Sequence, residues 1–136
     1  MLAIVDAGPL YAVADADDAD HERCLSVLER SDLRLVIPAL AVAEVTFMVG
    51  RRLGARAEAR FLAGLAELDV EAPAVDDWPR IAALVEEYAD FPLGGTDASV
   101  VALAERLGTP LVVTLDRRHF AAIRPLHEEA LDLLPE

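Results

Sequence analysis

Apolar residues open the chain as an unbroken run, Met1–Val5, which Asp6-Ala7-Gly8-Pro9 then stops. A short run bounded by turn-forming residues predicts a buried strand. Pro9 lacks an N–H that a first helical turn does not need, so a helix over Leu10–Ala14 is expected. After the acidic stretch Asp15–Asp20, Asp20 is placed to cap a helix over His21–Glu29, with Cys24, Leu25 and Leu28 at core spacing. Leu33–Ile37 predicts a second strand, closed by Pro38. From Ala39 the pattern turns helical, and Leu40, Val42, Val45, Phe47, Met48 and Val49 leave so little polar face that this helix is expected to be mostly buried, until Gly54 breaks it. Ala55–Leu68 predicts another helix, with Phe61, Leu62, Leu65 and Leu68 on one stripe. A short strand over Val70–Ala72 follows, then a helix capped by Asp76 or Asp77 and running through Tyr88. Gly94-Gly95 marks a loop, Thr96 is expected to cap a helix over Asp97–Leu107, and Gly108 stops it. Leu111–Thr114 and Leu131–Leu134 read as the last strands.

Strands separated by helices, with connections suited to crossovers, predict an α/β domain of three layers. The expected architecture is a central, mainly parallel sheet of about four or five short strands flanked by helices. No repeat or low-complexity segment divides the chain, so residues 1–136 are expected to form a single domain. No apolar run approaches the roughly 20 residues of a membrane-spanning helix. No basic segment precedes an apolar stretch at the N-terminus, so no signal peptide is expected, and a cytoplasmic location fits. Cys24 is the only cysteine, which rules out an internal disulfide and leaves a structural zinc site short of ligands.

All 12 basic residues are arginine, and the net charge is −13. That charge opposes general affinity for nucleic acid, whose phosphates it would repel. It leaves open a site where metal ions mask the local charge, and it favours a basic partner.

In a parallel α/β sheet, ligands sit outside the carboxyl ends of the strands. Asp6 follows the first strand and Asp116 follows the strand at 111–114. Asp97 opens a helix, where the N-terminal dipole favours an anion. Glu44 stands in AVAEVTFMV, where burying a lone carboxylate would be costly without a partner. Each acid alone has an ordinary explanation as a cap, a loop residue or half of an ion pair. Together, four acids from four segments map to one edge of one sheet. Two carboxylates about 4 Å apart repel by roughly 4 kcal/mol at an effective dielectric of 20, so such a cluster calls for a cation. Oxygen ligands without nearby His or Cys suit Mg²⁺ or Mn²⁺. A carboxylate cage of this kind is suited to phosphodiester hydrolysis.

Three stretches, IVDAGPLYA, PALAVAEV and GGTDASVVALAERLGTPLVVTLDRRHF, resemble the PIN domain in order and spacing, and most closely the VapC-type toxins of bacterial toxin–antitoxin pairs. The likeness spans essentially the whole chain, and the last stretch is its most specific part. The resemblance implies a magnesium-dependent endoribonuclease. It implies that Asp6 and Asp97 are the principal metal ligands, that Glu44 and Asp116 complete the site directly or through water, and that Thr114 orients a water or a carboxylate. It also implies an RNA substrate, transfer or ribosomal, a cognate VapB-like antitoxin that blocks the pocket, and a homodimer. One departure is that Ala7 and Gly8 stand where many relatives carry a hydroxyl after the first acid.

Arg117, Arg118 and His119 are placed to meet RNA phosphates on the pocket rim, or to form ordinary ion pairs. Arg51, Arg52, Arg56 and Arg60 form a second basic cluster around Gly54, expected to line an RNA groove, with Arg51 as the candidate RNA contact, or a contact with the partner, or to be simply the solvated face of the helix pair. Phe120 reads as core rather than a stacking platform, and Asp90 as a loop acid before an outer ligand. Dehalogenase-like phosphatases and receiver domains also set acids after parallel strands. Both rely on a lysine, and the chain has none. Neither G-x-G-x-x-G nor a P-loop appears. The remaining alternative is a PIN-like module that binds RNA or protein without cutting.

Overall fold

A computed structural model describes residues 1–136. The elements in chain order are β1 (Leu2–Val5), α1 (Ala7–Ala14), α2 (His21–Leu28), β2 (Arg34–Pro38), α3 (Ala39–Leu53) and α4 (Ala55–Gly64). After a 3-10 turn over Leu65–Glu67 come β3 (Asp69–Glu71), α5 (Asp77–Glu87), α6 (Gly95–Leu107), β4 (Leu111–Val113), α7 (Arg117–Ala122) and β5 (Asp132–Leu134). The five strands form one sheet in the order β3-β2-β1-β4-β5, and every pairing is parallel.

The strand sequences explain why both faces of this sheet are covered. Ile4 pairs in register with Val36 and with Val112, and these three enter a core completed by Ile81, Leu84, Val100 and Phe120 from α5, α6 and α7. Their neighbours Ala3, Val5, Ile37 and Val113 point the other way. They meet Leu10, Tyr11, Val27, Val45 and Val49 from α1, α2 and α3. A strand buried on both faces reads as a continuous apolar run, which is why β1, β2 and β4 stand out in the sequence. The three-layer α/β architecture expected from the sequence is therefore the one observed.

Topology also positions the site. The chain winds from β1 to β2 to β3 on one side, then returns to lay β4 on the opposite side of β1. Crevices for ligands open at such a reversal, at the carboxyl ends of the two strands that flank it. Those strands lead directly into Asp6 and Thr114.

Several local expectations are corrected. Helix α1 starts at Ala7 rather than Leu10, because Pro9 is accommodated within its first turn. Helix α3 is not mostly buried. Ala41, Val45 and Val49, one stripe at i, i+4 and i+8, are its fully buried residues, Val42 and Met48 pack partly against the same core, and Phe47 is 65% exposed. Apolar composition exceeds what a helix packed by one seam can bury. The helix expected over Ala55–Leu68 ends at Gly64, a poor helix former, and Leu62 and Leu68 are 44% and 41% exposed rather than packed. Helix α6 begins at Gly95 with Gly94 as its cap residue, so Thr96 lies inside the first turn, where its carbonyl accepts the Ser99 hydroxyl. Asp20 stands at the cap of α2 without a side-chain cap bond. Helix α7, which the apolar pattern does not predict, follows directly on Asp116.

Candidate metal centre

The four acids reach the carboxyl edge of the sheet by four routes. Asp6 leaves β1 with its backbone N–H still donating to the Val113 carbonyl of β4 at 2.9 Å, so it is fixed by the sheet itself. Asp116 is set two residues past Thr114, where its N–H donates to Thr114 Oγ1 at 2.9 Å. Asp97 lies in the first turn of α6, and Glu44 lies in the second turn of α3. All four, with Ala7, Gly8 and Leu115, line one open cavity of about 410 Å³. A larger cavity of about 930 Å³ runs along β4 and β5 and contains none of these acids. The chemistry belongs to the smaller one, where titratable groups converge.

Thr114 links two of the acids. Its side chain is fully buried, and Oγ1 donates to Asp6 Oδ2 at 2.8 Å while accepting the Asp116 N–H. Asp6 itself is only 4% exposed, and its other oxygen, Oδ1, has no hydrogen-bond partner in the protein. A buried carboxylate oxygen without a donor is costly, and a cation is a group that satisfies it. Burial is the main reason the Asp6 carboxyl is pushed up to about 6. The Thr114 hydroxyl and the Ala7 N–H pull it down, and the charges of Glu44 and Asp116 push it further up. Asp97 is pushed up to about 7, first by burial and then by the charges of Asp6, Asp116 and Glu44, with His119 opposing. Two carboxyls raised by burial and by neighbouring negative charge mark a site short of positive charge.

Thr114→Val tests the link. Valine matches threonine in shape but strands Asp6 Oδ2 and the Asp116 N–H without their partner. The expected loss is about 1–3 kcal/mol in urea unfolding, and Thr114→Ser is expected to recover most of it. An unchanged midpoint for Thr114→Val would show that the link contributes nothing.

The structure adds one residue to the set. The ligand atoms of Asp97, Asp116 and His119 lie within 4.8 Å of one another. The cage is therefore not the histidine-free one expected from the sequence. The signal for it is the spacing Asp116-x-x-His119, which sets two side chains on one face of a helical turn. That signal has force only once α7 is known to be helical. Asp116 opens the turn, its Oδ1 accepting the His119 backbone N–H at 3.3 Å.

The other expected residues are placed as follows. Arg117 turns from the cavity toward β5, donating to the carbonyls of Leu133 and Pro135 at 3.3 and 2.8 Å. Arg118 and Arg51 are exposed. The Arg52 guanidinium lies over the Tyr11 ring at 5.1 Å. Glu44 is exposed, so the burial argument for it fails although its position on the cavity stands. Asp90 is an exposed loop residue that does not line the cavity. Phe120 is buried in the core. No helix is long and apolar enough to cross a membrane.

Comparison with known proteins agrees with this fold. The PIN domain profile matches residues 3–125. The chain is 34% identical to "Ribonuclease VapC26" of Mycobacterium tuberculosis (strain ATCC 25618 / H37Rv) over 134 residues, 97% of this chain and 99% of that protein. Among solved structures it is similar to the M. tuberculosis toxin VapC20, described as cleaving the sarcin-ricin loop, with a TM-score of 0.75 at 19% identity over 81% of this chain and 86% of the other. It is also similar to VapBC2 from Rickettsia felis bound to a promoter DNA fragment, with a TM-score of 0.72 at 15% identity over 99% and 100% of the two chains. A toxin–antitoxin complex from Klebsiella pneumoniae gives a TM-score of 0.67 at 21% identity over 89% and 92%. With a family match across most of its length and a near-full-length relative above 30% identity, the chain belongs to the PIN domain family, and its relatives include VapC proteins.

Proposed function

We propose that this protein is a Mg²⁺-dependent endoribonuclease toxin of the VapC type, a single domain over residues 1–136 that acts in the cytoplasm. The observation that carries the reading is the meeting of Asp6, Glu44, Asp97 and Asp116 around one cavity at the topological reversal of a PIN sheet. Asp6 and Asp97 would hold the ion directly, and Glu44 and Asp116 directly or through water. A divalent ion there, Mg²⁺ or Mn²⁺, supplies a water of lowered pKa and offsets charge on the phosphodiester. Thr114 holds the Asp6 carboxylate in place and keeps it ionised more readily than burial alone would allow. Arg118 and Arg51 are free to meet RNA phosphates. Arg117 contributes by anchoring α7 to β5, and so fixes Asp116.

The name of the 34% identical relative supports ribonuclease activity, and the complexes among the structural neighbours support a VapB-like antitoxin. The −13 charge favours a basic antitoxin segment over the acidic pocket. Exposed Phe47, Leu62 and Leu68 offer apolar surface for that antitoxin or for a second copy in a homodimer. The substrate class is transfer or ribosomal RNA.

Incubation with total RNA and Mg²⁺ is the test. Discrete cuts are expected, and they are expected to disappear with EDTA and in Asp6→Asn. RNA retained equally by all samples and never cut would establish the non-catalytic module instead.

A further inference from the structure

We propose that His119 is a direct ligand of the metal centre through Nδ1, and that this nitrogen biases the centre toward Mn²⁺ over Mg²⁺. The inference rests on the metal-centre reading above. His119 Nδ1 lies 2.7 Å from Asp116 Oδ2 and 3.9 Å from Asp97 Oδ2. Despite the shorter contact, Nδ1 is buried and makes no hydrogen bond. Neighbouring ligands of an octahedral ion with bonds near 2.0–2.1 Å stand about 3 Å apart and opposite ones about 4 Å apart, so both distances fall within the span of one ion.

The Phe91 ring packs edge-on against the imidazole at 5.8 Å, and the His119 backbone N–H, donating to Asp116 Oδ1, ties the first turn of α7 to that acid. The second unpartnered buried atom of this region, Asp6 Oδ1, belongs to a residue lining the cavity that Asp97 and Asp116, the two acids beside His119, also line. His127 makes the contrast. Its Nδ1 is also unpartnered, but its Nε2 is committed to the Thr109 carbonyl at 2.8 Å, and it belongs to no cluster of acids.

Imidazole is a poor ligand for Mg²⁺, which takes oxygen and keeps its waters. It is a good one for first-row transition ions. A cage of carboxylates alone leaves Mg²⁺ and Mn²⁺ to compete by availability, whereas one nitrogen donor separates them.

The test is Mn²⁺ binding to the RNA-free protein, followed by electron paramagnetic resonance, with pulsed methods reading the ¹⁴N coupling of a bonded imidazole. Wild-type protein is expected to show that coupling, and His119→Gln to lose it. The same substitution is expected to weaken Mn²⁺ binding roughly tenfold while changing Mg²⁺ affinity, read by calorimetry, less than about threefold. His119→Asn gives a second variant, and the wild-type spectrum decides the point without either. Bound Mn²⁺ lacking a nitrogen coupling, or equal weakening of both ions, would overturn the role of His119 and leave an all-oxygen centre standing. Failure of wild-type protein to bind Mn²⁺ at all would overturn the metal-centre reading together with it.

Discussion

Asp97→Asn is expected to lower RNA cleavage by at least about a thousandfold, roughly 4 kcal/mol of lost transition-state stabilisation. In the same variant the metal-free protein is expected to become more stable at pH 8. The two effects have opposite signs because one carboxylate serves two states. With a cation bound, Asp97 is a ligand in the proposed centre. Without one it is a charge held in a half-buried position, where burial first and then the charges of Asp6, Asp116 and Glu44 raise its carboxyl to about 7. A single neighbour about 4 Å away costs roughly 4 kcal/mol at an effective dielectric of 20. The favourable interaction of an anion with the first turn of α6 returns only about 0.3–1 kcal/mol. Burial and repulsion together outweigh it, so asparagine should relieve more than it forfeits. Thermal melts in EDTA and a cleavage assay in Mg²⁺ check the two halves. A purely structural Asp97 would lose stability and activity together.

Stability of the metal-free protein is expected to fall as pH rises from about 4 to about 7. Asp6 and Asp97 both have folded-state carboxyls raised from 3.8, to about 6 and about 7. Between the unfolded and folded values the native state binds more protons than the unfolded chain. Its stability is therefore highest at the acid end of that window and lost as the carboxyls ionise. Each tenfold gain in proton affinity on folding is worth at most about 1.4 kcal/mol. Asp97 is partly exposed and the two groups interact, so a combined loss of a few kcal/mol, several degrees in melting temperature, is the expected scale. Millimolar Mg²⁺ should reverse the trend, since it binds the ionised form and its stabilisation grows as protons leave. Asp97→Asn should flatten the EDTA curve, which separates this site from repulsion across an acidic chain. A melting temperature in EDTA that climbs through this window would contradict the electrostatic picture.

Much of this centre is legible in the sequence. Asp6 and Asp116 follow short apolar runs, and a run buried on both faces identifies a parallel strand, so their common edge can be inferred. Glu44 reaches the cavity for a reason other than burial. Its apolar neighbours imply a buried carboxylate, yet the i, i+4 stripe of Ala41, Val45 and Val49 turns the helix so that Glu44 is exposed while still lining the cavity. His119 is visible as a residue but not as a ligand. Helix α7 is too short and too rich in arginine to show a period, and only its backbone turns the ring toward Asp116. The start of α6 is displaced from its expected place because capping chemistry favours threonine, whereas Gly94 takes the extended conformation that the cap requires.

Crystals grown in Mn²⁺ and measured for anomalous scattering test the central claim most directly. The account predicts the strongest anomalous peak inside the cavity, within coordination distance of the Asp6 and Asp97 carboxylates. A cavity without a peak at saturating Mn²⁺ would contradict it, as would carboxyl groups standing too far apart to share one ion.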